Sequence, residues 1–151
     1  MRRCVDHVKP DAIIHLGDHY SDGEALAELY PHIPLHQVAG NCDMGRCPIN
    51  ARQMLCYTIG GVMIYMCHGH NEHVKQNGVS GLVAAARRYG AQAALYGHTH
   101  RMDCHREEDG LLVMNPGSAG CDGYTAGFIK TEGQKITACY FITQEDLEGM
   151  Q

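Results

Sequence analysis

Two histidine pairs, His68-Gly69-His70 and His98-Thr99-His100, and two oxygen-bearing turns, Gly17-Asp18 and Gly40-Asn41-Cys42-Asp43, are the residues of this chain best suited to chemistry. Each segment follows a short apolar run of strand-like composition. A carboxylate directly after a glycine at a strand end can reach into a cleft, where its two oxygens bridge two divalent cations. An amide carbonyl in the same setting is a neutral, hard oxygen donor. Imidazole nitrogen suits Mn, Fe, Zn or Ni. Asp18, Asn41, His68, His98 and His100 together make a ligand set for a metal centre at the end of a sheet, the arrangement used for phosphate-ester hydrolysis. In an extended segment, residues i and i+2 point to one side, so His98 and His100 are expected to address one cleft.

Each residue also has an ordinary structural reading. A Gly-Asp after a strand is commonly a turn, and a turn asparagine such as Asn41 can bond its own backbone. His15, inside a strand-like run, reads as a core histidine, and His19 as lining a cleft rim. Four such segments occurring together favour the metal.

The elements that position these residues follow from patterning. Met1 to Lys9 reads as a helix stopped at Pro10, and Asp11 to Leu16 as a buried parallel strand. Ser21, with Glu24 three residues on, predicts a capped helix over Asp22 to Tyr30 that ends at Pro31. Leu35 to Ala39 is the next strand. Met54 to Ile59 and Val62 to Cys67 flank Gly60-Gly61, a hairpin signal. Ser80 to Tyr89 predicts a helix with Leu82, Val83, Ala86 and Tyr89 on one face, followed by the strand Ala93 to Tyr96. Beyond it the pattern becomes antiparallel, with strands over Met102 to Glu107, Leu111 to Asn115, Phe128 to Thr131 and Lys135 to Ile142. Gln144 to Gln151 reads as a fraying polar tail.

At 151 residues the chain fits a single domain over 1–151. The formal charge of -5, with no basic run, argues against general nucleic-acid binding. No apolar run is long enough to span a bilayer. The eight cysteines include no C-x-x-C pair and read as reduced thiols, which predicts a cytoplasmic protein.

The ordered set Gly-Asp, Gly-Asn-x-Asp, His-Gly-His, Gly-His-Thr-His resembles the calcineurin-like metallophosphoesterase superfamily. More narrowly, it is similar to the small bacterial and archaeal phosphodiesterase branch that includes the retromer vacuolar-sorting subunit. Cys42, standing where larger relatives have His, and Asn115-Pro116-Gly117-Ser118 mark that branch. The resemblance implies an α/β fold, a four-layer α/β/β/α sandwich, here with the first β-strand missing. It implies a metal-dependent phosphoesterase in which metal-activated water attacks the phosphorus of small phosphodiesters, with free phosphate as a further ligand. Asp18 would bridge two ions, Asn41, His68 and His98 would complete one site, and His100 would belong to the other. Asn41 would also face the phosphate, Cys42 would take the leaving-group position or simply pack, and His70 would orient His68 or the substrate. Asp43 is expected to hold a neighbouring loop.

The family's Asp-x-His motif is missing, since the chain opens inside the helix that should follow it. One tight divalent ion, Mn2+ or alternatively Ni2+, Zn2+ or Fe2+, is therefore expected beside an impaired second site. An N-terminally truncated domain with an unpaired edge near Ala12 to Leu16 predicts a homo-oligomer. The alternative is a catalytically impaired form, or a scaffold or protein-interaction module on the same fold.

Overall fold

A computed structural model describes residues 1–120 and 123–149 of the chain. The elements in order are α1 (Arg2–Val8), β1 (Ile13–His15), α2 (Tyr20–Leu29), β2 (Leu35–Gln37), β3 (Met54–Ile59), β4 (Val62–Cys67), α3 (Val74–Asn77) and α4 (Ser80–Arg88). They continue with β5 (Ala93–Leu95), β6 (Met102–Arg106), β7 (Leu112–Pro116), β8 (Thr125–Glu132), β9 (Lys135–Thr143) and α5 (Gln144–Glu148). A single 3-10 turn covers Asn41–Asp43. The largest sheet has five strands in the order β3-β4-β5-β7-β6, while β1-β2 and β8-β9 form separate two-stranded sheets. β1 and β2 are parallel, as are β4, β5 and β7, whereas the hairpins β3-β4, β6-β7 and β8-β9 are antiparallel.

The layer order follows from the period-2 alternation of the central strands. On one face of the five-stranded sheet, Tyr65, Cys67, Ala94, Tyr96 and Val113 pack on Val74, Leu82, Val83, Ala85 and Ala86 of α3 and α4. On the other face, Val62, Ile64, Met66, Leu95, Leu112 and Met114 pack on Ile14 and Leu16 and on Ile129, Cys139 and Phe141 of the β8-β9 hairpin. A third cluster joins Val5 of α1 and Leu26 of α2 to Ile13 of β1. The stack is thus α, β, β, α, with the five-stranded sheet and the two small sheets as its inner layers. β4 is buried on both faces, which is why its sequence reads as one apolar run.

Several local expectations change. α2 begins at Tyr20 with His19 as its N-cap, and no side chain of its own caps it. The Ser21–Glu24 box does not form because Asp43, 23 residues along the chain, accepts the Tyr20 N–H instead. Tyr89 lies just past α4, 52% exposed, and its ring sits 5.7 Å from that of Tyr65. Of the tail expected to fray, residues 144–148 are helical, since Thr143 and Asp146 exchange capping-box hydrogen bonds, while 150–151 lie outside the described residues. The Gly60-Gly61 hairpin forms as read, with φ values of 55° and 79° that suit a primed turn.

Candidate metal centre

Gly17-Asp18, Gly40-Asn41, His68 and Gly97-His98 follow the carboxyl ends of β1, β2, β4 and β5. These ends meet because the β1-β2 pair packs on the same face of the five-stranded sheet that carries Met66 and Leu95. The chains approach closely enough to require glycine. A Cβ at Gly17 (φ 93°) would lie 2.7 Å from the Gly40 nitrogen and 2.8 Å from His68 Nδ1. One at Gly40 would lie 2.5 Å from the Asp18 nitrogen. The neighbouring side-chain-bearing residues take up unusual backbone: Asp18, His19, His98 and His100 have φ values of 60°, 55°, 65° and 59°. Left-handed conformations cost energy in residues with a Cβ and cluster where a site demands them.

His68 is the pivot, 2% exposed. Its Nδ1 lies 2.7 Å from the Leu16 carbonyl oxygen. A carbonyl only accepts, so Nδ1 carries a proton and Nε2 is the nitrogen turned to the cleft. That nitrogen is 3.2 Å from Asn41 Oδ1 and 3.4 Å from Asp18 Oδ2. A carboxylate oxygen, an amide oxygen and an imidazole nitrogen this close are held together either by a proton on Nε2 or by a cation among them. Around a dication with bonds of about 2.1 Å, neighbouring donors are about 3.0–3.4 Å apart, the spacing found here. Among the described residues, no group of three or more His, Cys, Asp or Glu side chains gathers to hold an ion; an amide completes this trio. The donor chemistry and spacing of Asp18, Asn41 and His68 fit a first-row dication.

The surroundings hold these donors in place. Asp18 Oδ1 accepts the Cys42 N–H at 2.9 Å. Burial raises the Asp18 carboxyl, but that N–H and the His68 ring more than offset it, so it sits below its usual range. Asp43, 2% exposed, accepts the Gly40 N–H at 2.8 Å and the Tyr20 N–H at 2.9 Å. It thereby ties the Asn41 turn to the start of α2, the loop-holding role expected of it. Asn115, fully buried, donates to the Gly97 carbonyl at 2.8 Å and to Thr99 Oγ1 at 3.0 Å.

The rings of His68 and His98 are 5.0 Å apart, and His70 lies 5.4 Å from His68 and 6.2 Å from His98. Burial lowers the pKa of both His70 and His98, with the Lys75 charge adding to the effect on His98. His70 Nδ1 is buried without a hydrogen-bond partner. His100 is exposed and is not part of this ring cluster. The expectation that His98 and His100 point alike assumed an extended segment, and their left-handed backbone breaks that geometry. Cys42 is exposed rather than packed, and burial followed by Asp18 raises its thiol pKa. Sequence reasoning missed the Leu16 carbonyl, which has no residue-type signature, and the use of Asn115 as the brace of the His98 loop.

The sequence pattern of the calcineurin-like phosphoesterase superfamily domain matches residues 1–141. A predicted phosphoesterase from Streptococcus pneumoniae superposes with a TM-score of 0.73 at 24% identity, over 94% of this chain and 80% of that one. Vacuolar protein sorting 29 from Cryptosporidium parvum gives 0.71 at 17% identity, over 95% and 87%. Its Entamoeba histolytica counterpart, solved with Zn2+, gives 0.67 at 17% identity, over 95% and 89%. With the four-layer sandwich, the ordered motifs and a match spanning nearly its whole length, the chain belongs to the calcineurin-like phosphoesterase superfamily.

Proposed function

We propose that this chain is a metal-dependent phosphodiesterase acting on small phosphodiesters, with Asp18, Asn41 and His68 holding a divalent cation and His98 beside them. The observation that carries this reading is the convergence of Asn41 Oδ1 and Asp18 Oδ2 on His68 Nε2, at 3.2 and 3.4 Å. A bound dication there supplies Lewis acidity, polarising a phosphoryl oxygen and lowering the pKa of water. The Leu16 carbonyl keeps the His68 tautomer fixed and Nε2 directed at the cleft. The Cys42 N–H holds Asp18 in its ionised form. Exposed Asn41 can present its amide to a phosphate oxygen. His70 and His98, with pKa values lowered mainly by burial, are neutral at physiological pH and can each donate one N–H to substrate. The Cys42 thiol, its pKa raised, keeps its proton for a leaving oxygen.

Mn2+ is the metal we favour, with Zn2+, Ni2+ and Fe2+ compatible with the same nitrogen and oxygen donors. Asp18 and His100 alone make any second position weak. Free thiols at the described cysteines favour a cytoplasmic setting, and the edge of β1 that no described strand pairs with favours a homo-oligomer. A second reading, a protein-interaction module on this fold, is favoured by the exposed position of His100 outside the cluster of His68, His70 and His98.

The test is hydrolysis of bis-p-nitrophenyl phosphate with and without Mn2+, beside Asp18→Asn. Turnover that requires Mn2+ and is lost in the variant is expected. Turnover indifferent to both, or none at all, would contradict the enzyme reading.

A further inference from the structure

Cys104 on β6 and Cys139 on β9 bring their sulfur atoms to 3.2 Å. Both thiols are free and partly exposed. Within their own sheets, Cys104 pairs with Met114 and Cys139 with Ile129. The sulfur contact therefore bridges two sheets, where the β8-β9 hairpin packs on the five-stranded sheet beside its edge strand. A cystine bond is about 2.05 Å long, so the sulfurs need to close by only about 1.1 Å, within the reach of side-chain adjustment. Among the described residues, no other two cysteine sulfurs are in hydrogen-bonding contact. Burial, and then the neighbouring thiol, push Cys104 up to about 11.

We propose that Cys104 and Cys139 are an oxidative modification site, at which a small-molecule disulfide converts two thiols into one inter-sheet cystine. The thiolate of one cysteine attacks a sulfur of the oxidant, forming a mixed disulfide and releasing one small thiol. The thiolate of the other attacks the protein sulfur of that mixed disulfide and expels the second small thiol. Two electrons pass from the cysteines to the oxidant, and the two cysteine protons leave with the two small thiols. The product closes a covalent loop from 104 to 139. This loop staples the hairpin to β6, the strand that starts directly after the His98–His100 loop. The inference rests on the packing between sheets and is independent of the proposed hydrolysis.

The test is incubation of the folded full-length chain with oxidised glutathione in the presence of EDTA, followed by non-reducing peptide mapping. The expected result is a linked pair of peptides carrying Cys104 and Cys139, about 2 Da lighter than the sum of the reduced peptides. Dithiothreitol should reverse it, and the linked form should resist limited proteolysis longer than the reduced form. Cys104→Ser and Cys139→Ser should each lose the link and retain glutathione on the remaining partner. Reduced Cys104 and Cys139 under conditions that glutathionylate exposed Cys42 would overturn the proposal. So would a link that forms only after denaturation, a result that needs no variant to fold.

Discussion

The Asp43 carboxylate accepts the backbone N–H of Tyr20 at 2.9 Å and that of Gly40 at 2.8 Å, joining the first turn of α2 to the loop that carries Asn41. A helix start leaves backbone donors without intrahelical partners, and α2 has no cap of its own. One buried side chain therefore serves both a helix end and the candidate site.

Replacing Asp43 with Ala strands two donors, one of them buried, and should destabilise the fold by about 2–4 kcal/mol. Asp43→Asn retains one acceptor and should lose less. Chemical denaturation of both variants checks the order, and an Ala variant as stable as the parent would show that the Asp43 bonds contribute nothing.

Stability of the metal-free chain should fall on acidification through the histidine range. Burial lowers His15, His36, His70 and His98 below the ordinary value of 6.5. The unfolded chain takes up protons as pH drops through 6.5, while the folded chain does so only at lower pH. Their neutral-state contribution is thus complete well above 6.5 and is lost as pH falls toward the lowered folded values. Asp18, shifted the opposite way relative to its charge, loses its contribution only below the usual carboxylate range of about 3.8, outside this window. Melting temperatures between about pH 7.5 and 5.5 should decline, and His15→Gln should flatten the slope. An unchanged slope would remove His15 from the account.

The outer edge of β1 should be used by another chain. β1 pairs only with β2 among the described residues, and Ile13, Ile14 and His15 are only half-buried although they lie between helix and sheet. Light scattering of the purified chain is expected to give a mass above that of a monomer. A monomer of high thermal stability would contradict this.

Much of this architecture was legible because the signals were local. The apolar run Val62 to Cys67, the glycine pair at 60–61 and the proline after α1 each act within a few residues, and each element formed where it was read. The order of the four motif segments carried the family. What escaped were relations between distant residues: the Asp43 cap on α2, the Leu16 carbonyl behind His68, and Asn115 beneath the His98 loop. Backbone strain was equally hidden. The i, i+2 rule held in the strands but failed at His98 and His100, where the left-handed backbone turns the loop. At the C-terminus the miss was avoidable, since Thr143-Gln144-Glu145-Asp146 is a capping sequence and forms a cap.

The most direct measurement is the number of Mn2+ ions held after equilibrium dialysis, by elemental analysis of the wild-type chain and of His68→Ala. A single tightly held ion is expected in the wild type, raising the melting temperature by linkage, and its loss in His68→Ala. Equal occupancy in the two proteins, or two tight ions in the wild type, would contradict a centre built on Asp18, Asn41 and His68.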